Sequence, residues 1–267
     1  MKVLDLRTPW TDKPAQGGCI YFFYFCKLPM LLVMSGRNPI SYIIGIDEVG
    51  RGPLAGPVVV CAVAVPRRLR PSLIEARTPL RDSKKLSASQ RNTWVTAIKA
   101  DGRIRHAVAA VTPRVIDRIN VTQAANRAAT RALEKLLAAL PASARIDVFL
   151  DGGLFVNQTN NLQPITNNGK RQTRMQKFFA YTDLGTSTQF NLKIKTVVKG
   201  DETIPAISLA SIVAKEHRDA LMKRAHKKYP LYGFDRHAGY GTKKHIAAIK
   251  KNGRTPLHRN SFLKKIV

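Results

Sequence analysis

The sequence predicts an α/β fold, a mixed five-stranded sheet with flanking helices and a helical C-terminal part. Three observations predict it. Short β-branched or alternating runs stand at 43–46, 58–65, 104–111, 146–150 and 192–198. A long Ala- and Leu-rich stretch, 121–140, separates the first three runs from the last two. Beyond 205 the pattern is helical, with stop signals at Pro230 and Gly253.

Taken in order, 43–46 is the first strand, and a Gly/Pro-rich turn occupies 50–57. The run 58–65 is apolar at every position, as a strand covered on both faces would be. A basic loop, 66–86, contains Asp82-Ser83-Lys84-Lys85-Leu86. Ser87 is an N-cap for a helix reaching about residue 100. The third strand follows at 104–111, then a short helix opened by Thr112-Pro113 and a long one capped by Asn120. The fourth strand is 146–150. Residues 153–190, rich in Asn, Gln and Thr, read as a long polar excursion or loop before the fifth strand at 192–198. Helices at 207–229 and 243–251 complete the chain. Short links let the first three strands run antiparallel; the long helical crossover lets the fourth run parallel to the first.

The 267 residues are 44% hydrophobic and 23% charged, a globular composition that excludes global disorder. Only 3 cysteines occur, with no C-x-x-C pair, which excludes a disulfide scaffold, argues against zinc and points to a reducing, cytoplasmic setting. The charge is far from balanced. Lys and Arg number 45 against 17 Asp and Glu, a net charge of +28, so the surface attracts polyanions, chiefly nucleic acid or an anionic membrane. Residues 1–38 read as a leader outside the fold. Their apolar run, 18–34, is cut by Lys27 and Pro29 and is too short to span a membrane. Met34 opens a segment resembling a natural start, so a chain beginning there is expected to fold and work without the leader.

With so few acids, position is informative. Asp47-Glu48 end the first apolar strand, Asp151 ends the fourth, and Asp201 follows the fifth. An ionised carboxylate at the end of an apolar strand is costly unless compensated. If strands one and four are neighbours, Asp47, Glu48 and Asp151 converge at the strand ends where α/β sheets place their sites. Clustered carboxylates repel unless a cation lies between them, and hard oxygen ligands select Mg²⁺ or Mn²⁺. The other reading of Asp47 and Asp151 is that they cap turns. The turn Gly50-Arg51-Gly52-Pro53-Leu54-Ala55-Gly56 lacks the spacing of a dinucleotide or P-loop site; its glycines let backbone N–H groups approach a ligand. Residues 210–267 hold fifteen Lys and Arg against three acids, interleaved with Tyr229, Tyr232, Phe234, Tyr240 and Phe262. That composition suits a surface tracking a nucleic-acid strand, unless the rings pack into the core. Five of the six histidines lie here and read as structural or phosphate-contacting.

These motifs together resemble the ribonuclease HII family, the type 2 ribonucleases H. The resemblance is carried by Gly45-Ile46-Asp47-Glu48-Val49-Gly50-Arg51-Gly52-Pro53-Leu54-Ala55-Gly56, by Asp82-Ser83-Lys84-Lys85-Leu86, and by Lys199-Gly200-Asp201. Further matches are Ala210-Ser211-Ile212-Val213-Ala214-Lys215 with Arg218-Asp219, Tyr232-Gly233-Phe234, Gly239-Tyr240-Gly241-Thr242 and His258-Arg259-Asn260-Ser261-Phe262. It implies a ribonuclease H-like catalytic domain over 39–229, with an insertion at about 153–190, and a basic segment, 230–267, completing the substrate site. It implies hydrolysis of the RNA strand of RNA–DNA hybrids and cutting at ribonucleotides embedded in DNA. By motif, Asp47, Glu48, Asp151 and Asp201 are the catalytic ligands of two divalent ions, Mn²⁺ or Mg²⁺. Gly50, Arg51, Gly52 and Tyr240 read the ribose 2′-hydroxyl and the junction to DNA, and Lys84 or Lys85 contacts a phosphate. A cytoplasmic monomer, without membrane contact, is expected.

Three departures stand out: the wide gap between Asp151 and Asp201, Ala238 where Lys is common, and the leader, which has no counterpart. Two other readings predict different sequences. A non-catalytic basic nucleic-acid binder on the same fold predicts loss of a carboxylate; a different carboxylate-rich nuclease predicts absence of the Gly-Arg-Gly turn and the Tyr240 block.

Overall fold

The structure, a computed structural model, describes residues 40–69, 79–80, 83–156, 174–181, 187–264 and 266. The expected leader, Asp82 and much of the expected excursion at 153–190 lie outside the described residues.

Among the described residues, six strands form one sheet: β1 (Ser41–Val49), β2 (Val58–Pro66), β3 (Arg105–Val111), β4 (Arg145–Asp151), β5 (Arg174–Tyr181) and β6 (Ser187–Val197), in the order β3-β2-β1-β4-β6-β5. The pairs β1–β2, β2–β3 and β5–β6 are antiparallel; β1–β4 and β4–β6 are parallel. All five expected strands are present and the sheet is mixed as expected. The correction is β5, which the sequence reading places inside a loop. It is an edge strand paired only with β6. Main-chain hydrogen bonding to a partner can form such a strand without an alternating apolar pattern to announce it. The pairing also starts β6 at Ser187, five residues before the expected Leu192.

The helices are α1 (Ala88–Ala100), α2 (Pro113–Ile119), α3 (Val121–Ala138), α4 (Gly200–Thr203), α5 (Pro205–Lys228), α6 (Phe234–His237), α7 (Lys243–Asn252) and α8 (Asn260–Leu263). Their starts follow local chemistry. Ser87 and Gln90 form a reciprocal capping box on α1, and the Asn120 side chain accepts from the Gln123 amide of α3. Thr242 caps α7 in the same way, and Gly253, at φ +78, ends it.

β2 is buried on both faces because helices cover both. On one side, the Ala-rich face of α3 lies against Ile44, Ile46, Val58, Val60 and Val148. On the other, α1 and α5 cover Val59, Cys61 and Val63, with Trp94, Ile98, Leu209 and Ile212 filling the space. A third cluster joins Leu54 and Ala55 of the glycine-rich turn to Met222, Tyr232, Phe234, Ile249 and Leu263. The C-terminal helices therefore grip the turn directly. Most of the interleaved aromatics serve this grip rather than a strand-tracking surface: Tyr232 and Phe234 are buried and stacked at 5.6 Å, whereas Tyr240 is 47% exposed.

The histidines of this cluster form a directed chain. The Thr255 amide donates to His258 Nδ1 (2.8 Å), His258 Nε2 faces His245 Nε2 (3.2 Å), and His245 Nδ1 meets the Tyr240 carbonyl (2.8 Å). Only neutral rings with hydrogens on His258 Nε2 and His245 Nδ1 satisfy all three contacts. Burial, with His245 beside it, pushes His258 down to about 4. Its neutral form thus contributes stability that is present above the ordinary histidine value near 6.5 and lost as the pH falls toward 4. His217, also pushed down to about 4, adds in the same direction. The melting temperature is expected to drop between pH 7 and pH 5, and to drop less in His258→Gln. An equal drop in the wild-type chain and in His258→Gln would rule this out.

Candidate active site

Parallel pairing sets three strand ends side by side. Ile46 of β1 is in register with Leu150 of β4, so the next residues, Asp47 and Asp151, emerge together. Asp151 is in turn in register with Val197 at the end of β6, from which Lys199, Gly200 and Asp201 follow.

Asp47 is buried, and its Oδ1 accepts the Glu48 amide at 2.7 Å. Burial raises its pKa well above the usual carboxylate range; the Glu48 and Asp151 charges add to this, and a Ser211 hydrogen bond opposes it. Ser211 Oγ lies 2.8 Å from Ser83 Oγ, tying the Ser83–Lys85 turn to α5 beneath Asp47. Glu48 is also raised by burial, with Arg51 and then Lys84 pulling the other way and Asp151 reinforcing the rise. Its Oε1 is 2.8 Å from Arg51 Nε, while Oε2 is buried with no hydrogen-bond partner. Asp151 Oδ1 accepts the Gly200 amide at 2.8 Å. Asp201 is buried at the start of α4, where its backbone carbonyl accepts Ser208 Oγ at 2.5 Å.

Asp47 thus feels the charges of Glu48 and Asp151, and Glu48 that of Asp151. Among the described residues, however, no group of three His, Cys, Asp or Glu side chains stands ready at metal-enclosing spacing; Glu48 is turned to Arg51. The donor chemistry fits a hard divalent cation. Every candidate is a carboxylate, two are raised by burial and a neighbouring carboxylate's charge, and the orphaned Glu48 Oε2 lacks the positive partner that a cation supplies.

The basic and glycine residues border this edge. Arg51 Nη2 donates to the Gly153 carbonyl (2.9 Å), pinning the turn after β4. Of the two lysines, Lys84 is the one whose charge reaches Glu48, whereas Lys85 pairs with Glu202 at 3.7 Å. Gly50 has φ +92, and a Cβ there would fall 2.3 Å from Arg218 Nε, so glycine is required twice over. Gly52 is exposed, with the Tyr240 ring 3.7 Å from where its Cβ would be.

Sequence reading missed what holds this turn. Arg218 and Arg259 are both fully buried. Arg218 donates to the carbonyls of Pro57 (3.0 Å), Ala55 (3.1 Å) and Ala238 (2.9 Å). Arg259 donates to Gly50 (2.6 Å), Arg51 (2.8 Å) and Gly56 (2.8 and 3.0 Å). Burial and the neighbouring Arg218 charge push Arg259 down to about 9. A signal existed for Arg218: it stands seven residues after Ser211, two turns along the same helix face. Arg259 stands in the His258-Arg259-Asn260-Ser261-Phe262 block that carries the resemblance, but the block alone does not say that its guanidinium is buried on the turn.

Comparison with known proteins places this geometry. The ribonuclease HII family model matches residues 44–265. The ribonuclease HII of Chlorobium chlorochromatii is 44% identical over 223 residues, covering 83% of this chain and 89% of the relative. That of Novosphingobium aromaticivorans is 41% identical, covering 82% and 94%. Among solved structures, the ribonuclease H2 of Pyrococcus horikoshii OT3 shares the fold, with a TM-score of 0.58 at 20% identity over 84% of this chain and 96% of that one. Bst-RNase HIII, solved in complex with Mn²⁺, gives a TM-score of 0.56 at 16% identity over 84% and 67%. A family match spanning the carboxylate edge, the glycine-rich turn and the C-terminal grip shows that this chain belongs to the ribonuclease HII family of ribonuclease H endonucleases.

Proposed function

We propose that this enzyme cuts the RNA strand of RNA–DNA hybrids and also cuts at single ribonucleotides embedded in DNA, leaving 5′-phosphate and 3′-hydroxyl ends. The observation that carries the reading is the juxtaposition of the carboxylate edge with the Gly50–Gly52 turn and the exposed Tyr240 ring. Asp47, Glu48, Asp151 and Asp201 would hold two divalent ions, Mn²⁺ or Mg²⁺. When bound, such ions lower the pKa of the attacking water and stabilise the departing 3′-oxygen. The remaining work falls to the chain. Arg51 and Lys84 offset phosphate charge beside the carboxylates. The turn backbone and Tyr240 face the sugar, whose 2′-hydroxyl is the physical difference between RNA and DNA. Residues 39–229 serve as the catalytic domain and 230–267 complete the substrate site. All four carboxylates come from one chain, which suits a monomer. Among the described residues no helix is long and apolar enough to cross a membrane. Ribonucleotides in duplex DNA place such an activity in replication and ribonucleotide excision repair in the cytoplasm.

The test is cleavage of a duplex with one ribonucleotide against the same duplex in all-DNA form, with Mg²⁺ and with Mn²⁺. Cutting at the ribonucleotide alone is expected. Binding without cleavage of either duplex would favour the non-catalytic binder, against which the presence of all four carboxylates argues.

Tyr240→Ala separates reading from general affinity. Loss of a stacked ring costs on the order of 1–3 kcal/mol. Cleavage at a lone ribonucleotide is expected to fall correspondingly, with little change in affinity for all-DNA duplex. Equal losses on both duplexes would make Tyr240 a generic contact.

A further inference from the structure

We infer that Arg259, with Arg218, is a positioning residue for substrate recognition: it orients two peptide units of the glycine-rich turn so that the Arg51 and Gly52 amides face outward as a paired donor. This deepens the proposed function and rests on it.

Arg218 and Arg259 are two buried cations. Neither guanidinium sends a hydrogen bond to a carboxylate; all seven of their hydrogen bonds end on main-chain carbonyls. Burying a guanidinium is costly, and carbonyl dipoles turned toward it offset the cost. The carbonyls of Gly50, Arg51, Ala55, Gly56 and Pro57 are therefore drawn inward.

A trans peptide is planar, and its N–H points opposite its C=O. Each inward carbonyl thus throws the next residue's amide outward, and the five cases differ. After Ala55, the Gly56 amide is taken by the Leu257 carbonyl at 2.8 Å. After Gly56 stands Pro57, which has no N–H. After Pro57, Val58 enters β2. Only the carbonyls of Gly50 and Arg51, both on Arg259, are followed by amides that donate to no acceptor among the described residues. Those two amides are consecutive, emerge where Gly52 is exposed, and lie beside the Tyr240 ring. Consecutive outward N–H groups suit a single acceptor oxygen, such as a sugar hydroxyl or a phosphate.

Arg218 extends the device to the ring. Its third acceptor, Ala238, adopts φ +48 two residues before Tyr240, and the Gly239 carbonyl accepts both the Leu54 (2.9 Å) and Ala55 (3.2 Å) amides. The donor pair and the ring are thereby locked into one unit. Lys cannot replace Arg259 here, because one ammonium cannot span three carbonyls in a fixed fork.

Two experiments test the inference in the full chain. The first uses the wild-type protein and backbone amide resonances without divalent metal. The Arg51 and Gly52 amides are expected to exchange rapidly in the free protein, while the Leu54 and Gly56 amides are protected. Both should shift on adding a duplex with one ribonucleotide, and shift less with the all-DNA duplex. Protected Arg51 and Gly52 amides, or identical responses to the two duplexes, would overturn the inference. The second experiment uses Arg259→Lys. Its kcat/KM at a lone ribonucleotide is expected to fall about tenfold or more, as misplaced contacts cost. Its affinity for all-DNA duplex and its half-activating Mn²⁺ concentration should stay at wild-type values. Wild-type kcat/KM in this variant would also overturn the inference; if it fails to fold, the amide measurement decides. A wild-type chain that never cuts the ribonucleotide duplex would instead sink the proposed function.

Discussion

Asp47→Asn is expected to lower single-turnover cleavage by roughly three orders of magnitude, the several kcal/mol that a metal-bound carboxylate supplies to charge stabilisation. Hybrid binding should be unchanged or tighter, because a negative charge beside the phosphate path is removed. The structure adds a control. Burial and the Glu48 and Asp151 charges make the ionised Asp47 unfavourable. Neutral Asn at that position should therefore melt no lower than wild type when divalent ions are chelated. Activity and stability are thus expected to move in opposite directions. Near-normal turnover would remove Asp47 from the catalytic set, and a large fall in melting temperature would make its role structural.

Gly45→Ala is expected to be the most damaging small substitution for the fold. Gly45 lies mid-β1, where α5 crosses. An added Cβ would stand 2.1 Å from the Ala206 carbonyl carbon and 2.3 Å from the Ile207 amide nitrogen. These are backbone atoms, so no rotamer change relieves the clash, and α5 must shift. Overpacking of this kind costs about 1–3 kcal/mol and occasionally more. Because α5 carries Ser211, which bonds to Asp47, and Arg218, which holds the glycine turn, cleavage should fall together with stability. Thermal melting and cleavage of the ribonucleotide duplex check this. An unchanged melting temperature would show that β1 and α5 can separate without penalty.

Much of this protein is legible in one dimension. The strands were marked by apolar runs and the helices by capping residues, because both signals act over a few neighbouring positions. Asp47, Glu48, Asp151 and Asp201 stood out because acids are scarce here and these four stand at or just beyond the ends of apolar strands. Strand β5 left no such mark, since an edge strand is held by main-chain pairing to its neighbour. For Tyr232 and Phe234 the sequence leaves strand contact and core packing open, because basic and aromatic composition is the same whether a ring faces solvent or core.

The sequence by itself determined most of the element types, the strongly basic charge and which four carboxylates are candidates for the site. Only the tertiary structure decided which groups share an environment. Parallel pairing of β1 with β4 put Asp47 beside Asp151, residues 104 apart along the chain. Packing also separated Lys84, whose charge reaches Glu48, from Lys85, which faces Glu202. The buried Arg259 holds Gly50 across a separation of 209 residues. An arginine on a surface and one caging a turn are written with the same letter. What distinguishes them is desolvation, which a chain acquires only when distant segments close over the charge.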